Sequence, residues 1–95
     1  MDNNTVVVIR FEDDLIYFDC ENHAGDREVC LQISAICNLL VCECLRYNIQ
    51  PVQYKEGRVH LEVQHATEAQ REVFHAAEDM LKVLSEQYPD NLRLV

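Results

Sequence analysis

The sequence predicts an α+β fold with two layers, in which a mostly antiparallel sheet packs against two helices. Runs of β-branched residues and alternation of apolar and polar side chains predict strands. Two longer segments repeat apolar residues at helical spacing. The predicted order along the chain is β-β-α-β-β-α-β. With 95 residues, of which 48% are apolar, the chain is long enough for one modest core, so residues 1–95 are expected to form a single domain.

The strands are predicted as two hairpins and a short terminal strand. The first hairpin runs from Thr5 to Phe11 and from Leu15 to Cys20, around an acidic turn. Apolar side chains occur on both faces of its first strand, which is typical of an internal strand. The second hairpin is predicted from Gln50 to Tyr54 and from Arg58 to Val63, with the Glu56-Gly57 turn between them. The terminal strand is predicted at Asn91 to Val95.

The first predicted helix, from about Arg27 to Tyr47, is apolar on two sides. At 100° per residue, a broad main stripe is formed by Val29, Cys30, Ile33, Ile36, Cys37, Leu40, Val41 and Cys44. A second patch is formed by Leu31, Ala35, Leu39 and Cys42. We therefore expect one side to contact the sheet and the other to contact the second helix or a second copy of the chain. Polar residues interrupt the apolar run, which argues against a membrane span.

The second predicted helix begins after Thr67 and ends before Pro89. Gln70 follows Thr67 by three residues, which is the spacing of a capping box. Apolar residues then recur at helical spacing as far as Leu84.

Charge and cysteine content limit the possible functions. The 17 acidic and 8 basic side chains give a formal net charge of -9, which opposes binding to nucleic acid through its phosphates. A basic protein partner is compatible with this charge, and so is a simple role in solubility. The five cysteines are an odd number and no signal peptide opens the sequence, so we expect reduced thiols in the cytoplasm.

Cys30 is the candidate nucleophile, and His23 is its candidate partner. If Asp26 caps the helix, Cys30 lies in the first turn, with its side chain directed toward the incoming loop that carries His23. A helix N-terminus and a nearby imidazole both favour a thiolate. The competing interpretation of Cys30 is an ordinary core cysteine.

The other cysteines and histidines are given structural interpretations. Cys37 and Cys44 continue the middle of the apolar stripe, and Cys20 is expected to pack inward from its strand. Cys42 and Cys44 point away from each other on a helix, so the sequence predicts no metal site, and it predicts no cofactor. Three further histidines are expected to face water: His60, His65 and His75.

The segment His23-Ala24, a following acidic residue, Val29-Cys30 and Ser34 resembles the bacterial ribosomal-processing cysteine protease family, called Prp. The match is strongest from Asn22 to Ser34. The resemblance implies a small homodimeric endopeptidase that removes a short N-terminal extension from a large-subunit ribosomal protein, cutting at a hydrophobic, aromatic-bearing sequence. Nucleic acid and membrane are not implied as partners.

The resemblance also implies roles for individual residues. Cys30 would be the nucleophile, and His23 the general base and later the acid for the leaving amine. Ser34 matches a family serine and would supply a supporting hydrogen bond. Asp26 would either cap the helix or orient His23, and both roles remain open. Free backbone N–H groups in the first turn of the helix are candidates for holding the oxyanion.

The sequence departs from the family pattern in three ways. Asn22 replaces the usual glycine before the histidine, and asparagine tolerates the positive φ that such a turn requires. Leu31 replaces a frequent alanine and is expected to narrow the substrate groove. The segment between His23 and Cys30 is shorter than the glycine-bearing loop of many members, which predicts a more open site or a different substrate.

Two other functions are considered. The first is a non-catalytic binding module of the same fold that recognises a basic ribosomal partner, with His23 and Cys30 as remnants. The second is a thiol redox protein, which ranks last because the sequence has no second cysteine suitably placed near Cys30.

Overall fold

The computed structural model describes residues 4–95 as a five-stranded sheet with two long helices. The order of elements confirms the predicted β-β-α-β-β-α-β arrangement. The strands and helices are β1 (Thr5–Phe11), β2 (Leu15–Glu21), α1 (Arg27–Arg46), β3 (Gln53–Lys55), β4 (Arg58–Gln64), α2 (Glu68–Gln87) and β5 (Leu92–Leu94).

The sheet has the strand order β3-β4-β2-β1-β5. Three of its four pairings are antiparallel and the β1–β5 pairing is parallel, so the sheet is mostly antiparallel, as predicted. β1 lies between β2 and β5, as its two apolar faces indicate. In the register Phe18 lies opposite Ile9 on one side and Leu61 on the other, which places these three side chains in the core.

The third strand differs from the prediction, because β3 covers Gln53–Lys55 and not Gln50 to Tyr54. Pro51 has no backbone N–H, and a proline is poorly tolerated in a strand ladder. Pairing therefore begins after it, where the Val52 N–H donates to the His60 carbonyl at 2.9 Å. The predicted turn is present, and Gly57 adopts a φ of 85° in it.

Local capping signals set the starts of both helices. The Asp26 side chain caps α1, and Thr67 with Gln70 forms the predicted capping box of α2. The main stripe of α1 is buried except at Cys30, which is partly exposed. By length and hydropathy alone α1 could cross a membrane, but a core helix passes the same test, and the buried stripe of α1 fits that description.

The second apolar patch of α1 lies at the surface. Leu31 and Leu39 are 60% and 52% exposed, and on α2 Met80 and Val83 are 55% and 52% exposed. Leu39, Met80 and Val83 border a groove of about 470 Å³ between the helices, which is lined by Gln32, Ala35, Ile36, Leu39, Met80, Val83, Leu84 and Gln87. Within this chain, α2 therefore flanks the patch without covering it.

Candidate active site

A cavity of about 330 Å³ opens between α1 and the β3–β4 hairpin. It contains four of the five residues that the sequence predicts for the site: Asn22, His23, Cys30 and Ser34. The remaining lining residues are Thr5, Cys20, Ile33, Cys37, Asn38, Tyr54, Lys55, Glu56, Gly57, Arg58 and Val59. The fold therefore brings the predicted nucleophile and its predicted base to one cavity.

Cys30 is the fourth residue of α1, as its proposed role requires. Its backbone N–H donates to the Asp26 carbonyl at 2.9 Å, which closes the first turn of the helix. Its Sγ accepts a hydrogen bond from the Ala24 N–H at 3.1 Å. Both this amide and the helix N-terminus stabilise negative charge on the sulfur.

The backbone of Ala24 is held in position by a second hydrogen bond, at its carbonyl group. Ala24 is completely buried, and its carbonyl accepts a hydrogen bond from Asn91 Nδ2 at 2.7 Å. Asn91 lies just before β5, far from the loop in sequence, and nothing in the local sequence signals its role. The sequence indicates Ala24 only as part of the family-like motif, because a backbone donor leaves no mark in a side-chain pattern.

Asn22 forms the turn that leads into His23. Its φ is 72°, so the positive φ expected of this position is confirmed. Its N–H donates to the Gly57 carbonyl at 2.9 Å, and its own carbonyl accepts from Thr5 Oγ1 at 3.1 Å. The turn is thus tied to the hairpin and to β1, and asparagine supports it without glycine.

His23 lies against the turn of the hairpin at the mouth of the cavity. Its side chain is 62% exposed, and Nε2 is 4.0 Å from Glu56 Oε1. A Cβ atom at Gly57 would be 3.8 Å from the same nitrogen, so the ring packs directly over this turn. The sequence predicts Glu56 only as a turn residue, because its approach to His23 depends on the pairing of distant strands.

The structure resolves the two roles that were open for Asp26. Its Oδ1 accepts a hydrogen bond from the Val29 N–H at 3.1 Å, which makes Asp26 the N-cap of α1. Among the described residues, the carboxylate that approaches His23 belongs to Glu56. Since the cap occupies the Val29 N–H, Arg27 and Glu28 are the first-turn residues whose N–H groups are candidates for holding an oxyanion.

Leu31 does not narrow the cavity, contrary to the expectation from sequence. Adjacent helical residues are separated by 100° around the axis, so Leu31 points away from the side on which Cys30 lies. Its side chain is 60% exposed and is not among the lining residues. The bulk of this leucine therefore belongs to the second apolar patch.

Two further cysteines line the cavity that contains Cys30. Cys20 of β2 and Cys37 of α1 are buried and line the same cavity. A hydrogen bond between these two thiols raises the pKa of Cys20 and lowers the pKa of Cys37. The sequence could not show this neighbourhood because it depends on how the sheet packs against α1.

All five cysteines are free, and within residues 4–95 no three His, Cys, Asp or Glu side chains are arranged to hold a metal ion.

The histidines outside the cavity agree with the prediction in two cases of three. The side chains of His65 and His75 are 81% and 52% exposed. The prediction for His60 is wrong, because its side chain is only 13% exposed. His60 lies on the sheet face opposite the helices, where the Tyr17 ring is 4.9 Å away and Glu62 Oε2 is 2.9 Å from its Nε2.

Comparison with known proteins identifies the fold. No protein-family model matches the sequence, and no curated protein matches it. A crystal structure of the essential ribosomal processing protease Prp from S. aureus, in complex with a covalently linked product peptide, is similar with a TM-score of 0.77. The two chains are 23% identical, and the similarity covers 95% of this chain and 96% of the other.

A second solved structure has the same arrangement. SMU.848 from Streptococcus mutans is similar with a TM-score of 0.75 and 16% identity, over 96% of this chain and 91% of the other. The resemblance drawn from the sequence is therefore confirmed at the level of the fold.

Proposed function

We propose that this protein is a cysteine endopeptidase that removes a short N-terminal extension from a large-subunit ribosomal protein. The observation that carries the proposal is the position of the Cys30 sulfur. It lies at the start of α1, it accepts the Ala24 amide at 3.1 Å, and it shares a cavity with His23. This arrangement occurs on the fold of a ribosomal processing protease.

In the proposed mechanism, His23 removes the proton of the Cys30 thiol and the resulting thiolate attacks the scissile carbonyl. The negative oxygen of the tetrahedral intermediate would be held by N–H groups of the first turn of α1, with Arg27 and Glu28 as candidates. His23 then gives its proton to the leaving amine, and water hydrolyses the thioester. Ser34 lies one turn beyond Cys30 in the same cavity and would provide a supporting hydrogen bond.

The charge and shape of the protein are compatible with the proposed partners. A net charge of -9 suits a basic ribosomal substrate and opposes binding to nucleic acid. The proposed assembly is a homodimer, because the groove beside Leu39 and Met80 is apolar and open. The proposed location is the cytoplasm, where the free thiols of the five cysteines would persist.

The proposal is tested by mixing the protein with the extended ribosomal protein of the same organism and following the mass of that protein. The expected result is loss of the extension with the unmodified protease and no loss with Cys30→Ala or His23→Ala. Cys42→Ala is the matched control, because Cys42 is an exposed cysteine on the same helix that does not line the cavity. If the extension persists for hours in the presence of correctly folded protein, the proposal is overturned.

The alternative is a binding module that holds the same basic protein without cutting it. One observation favours it: among the hydrogen bonds of residues 4–95, the sulfur of Cys30 is bonded to Ala24 and not to His23. In that case the extended ribosomal protein would bind equally to the unmodified protein and to Cys30→Ala, with no change in mass. Isothermal titration measures binding to both forms, and the mass of the ribosomal protein shows whether the unmodified protein cuts it.

A further inference from the structure

One wall of the active-site cavity is formed by successive turns of α1. Cys30, Ser34 and Asn38 are spaced by four residues, so they lie one above another along the same side of the helix, and all three line the cavity. At 1.5 Å per residue, Asn38 is about 12 Å beyond Cys30 along the helix axis. The cavity therefore extends well past the sulfur.

The opposite wall is the β3–β4 hairpin, and one side chain crosses from it to the helix. Tyr54 Oη donates a hydrogen bond to Asn38 Oδ1 at 2.8 Å. Tyr54 is 56% exposed, and Asn38 is also exposed. Because both side chains are exposed, water can replace either of them in this hydrogen bond, and a polar group of a bound peptide can do the same. The Tyr54–Asn38 hydrogen bond therefore spans the far end of the cavity but can break when a ligand binds.

The geometry of the hairpin suits an extended polypeptide. β3 is an edge strand, and an extended peptide commonly adds to such an edge through its own backbone. A peptide in this conformation advances about 3.3 Å per residue, so the 12 Å from the sulfur to Asn38 corresponds to roughly four residues. A segment bound at Cys30 and running along β3 would reach the Tyr54–Asn38 bond at that distance.

We propose that Tyr54 and Asn38 form a latch across the substrate groove, which opens to bind the backbone of an extended peptide three or four residues from the scissile bond. The Asn38 amide can donate to a peptide carbonyl and accept from a peptide N–H, and the Tyr54 hydroxyl can do either. The pair selects substrates by length and extended conformation. This inference rests on the proposed protease function and adds to it a binding site remote from the sulfur.

The test compares two peptides that share the same scissile bond, one with two residues on each side and one with five. Tyr54→Phe and Asn38→Ala are each expected to lower the ratio of kcat/KM for the long peptide to that for the short peptide by about three- to tenfold. The loss is expected in KM and not in kcat, because the latch is remote from the reacting atoms. The double variant is expected to lose at least as much as the larger single loss, since each side chain contacts the peptide when the latch is open.

Tyr47→Phe is the matched control, because Tyr47 is a similarly exposed tyrosine at the far end of α1 that does not line the cavity. It is expected to leave the ratio unchanged. An equal loss for both peptides would show that Tyr54 and Asn38 only support the hairpin, and an unchanged ratio would show that the peptide does not reach them; either result overturns the latch. Cleavage of the short peptide by the unmodified protein reports separately on the proposed function.

Discussion

At the scale of single residues, the five cysteines differ in what surrounds their sulfur atoms. The sulfur of Cys30 accepts a backbone amide at the open end of a cavity. The buried thiols of Cys20 and Cys37 lie beside each other, Cys44 is buried, and Cys42 is exposed on the surface of α1. Of these sulfur atoms, the one of Cys30 combines a backbone donor with a place in the cavity beside the predicted base His23. The chemistry of the site therefore depends on surroundings, since the residue type is the same in every case.

The buried Cys44 predicts a loss of stability at alkaline pH. Burial raises the pKa of Cys44 from 9.0 to about 11, so between these values the unfolded chain releases a proton that the folded chain keeps. The free energy of unfolding should be unaffected by this group below pH 9 and should fall by up to about 3 kcal/mol as pH rises from 9 to 11. Urea denaturation across this range, under reducing conditions, measures the fall.

Cys44→Ala should make that fall shallower, whereas Cys42→Ala should leave it unchanged because Cys42 is exposed. Cys20, whose pKa is also raised, contributes in the same direction, whereas its neighbour Cys37, whose pKa is lowered, contributes in the opposite direction. Identical slopes for Cys44→Ala and the unmodified protein would contradict the assignment.

Asn22 predicts a specific tolerance to substitution. At a φ of 72°, Asn22→Gly should keep the turn and change the free energy of unfolding by less than about 0.5 kcal/mol. Asn22→Val should cost about 1 to 2 kcal/mol, because a β-branched side chain is strained in the left-handed region. Thermal and urea denaturation of both variants checks this, and a valine variant as stable as the glycine variant would show that the turn adopts another conformation.

Much of the site could be read from local sequence, and the rest could not for a physical reason. Asn22, His23, Cys30 and Ser34 lie within thirteen positions of one another, so a strand end, a turn and a helix start were enough to place them together. Glu56, Tyr54 and Asn91 reach the same site from elements that are distant in sequence. Their positions depend on strand pairing and on sheet–helix packing, which a one-dimensional pattern does not specify.

At the scale of elements, α1 contributes most to the candidate site, because its first turn carries both the helix N-terminus and the Cys30 thiol. Its limits were predicted to within one residue at the C-terminal end, since capping and periodicity are local signals. β3 was predicted less well because Pro51 interrupts the run of strand-forming residues. The parallel pairing of β5 with β1 was not predicted, because the choice of partner is a property of the whole sheet.

The Asp26 cap predicts a measurable contribution to the stability of α1. Asp26→Ala should lower the free energy of unfolding by about 1 kcal/mol, because the Val29 N–H loses its acceptor. Asp26→Ser should recover most of this loss, since serine is also a good N-cap. Urea denaturation of the three proteins at one pH is the measurement. Equal destabilisation by serine and alanine would show that the carboxylate acts in some way other than capping.

At the scale of the whole molecule, the two layers leave one broad apolar surface on the side of the helices. The groove of about 470 Å³ between α1 and α2 is lined in part by Leu39, Met80 and Val83, each more than half exposed. Contiguous exposed apolar patches of this kind mark interaction sites in soluble proteins. The sequence anticipated this surface through the second patch of α1, but it could not decide whether α2 would cover it.

The homodimer proposal is tested on this surface. Leu39→Lys and Met80→Lys should shift the protein to a monomer, because each places an unpaired charge in an apolar interface. Sedimentation velocity over a range of protein concentrations measures the shift. Val52→Lys is the control, since Val52 is equally exposed but lies beside the hairpin. A protein that sediments as a monomer before any substitution would contradict the proposed assembly.

The placement of Asn91 has a consequence for how this protein can change over evolutionary time. Its backbone carbonyl accepts the Thr5 N–H at 2.9 Å, and its side chain donates to the Ala24 carbonyl at 2.7 Å. Asn91 thus stabilises the start of β1 through its main chain, and through its side-chain amide it stabilises the loop that contacts the thiol. Selection for foldability and selection for reactivity would act on this asparagine together, so drift there should be slower than at its neighbour Asp90.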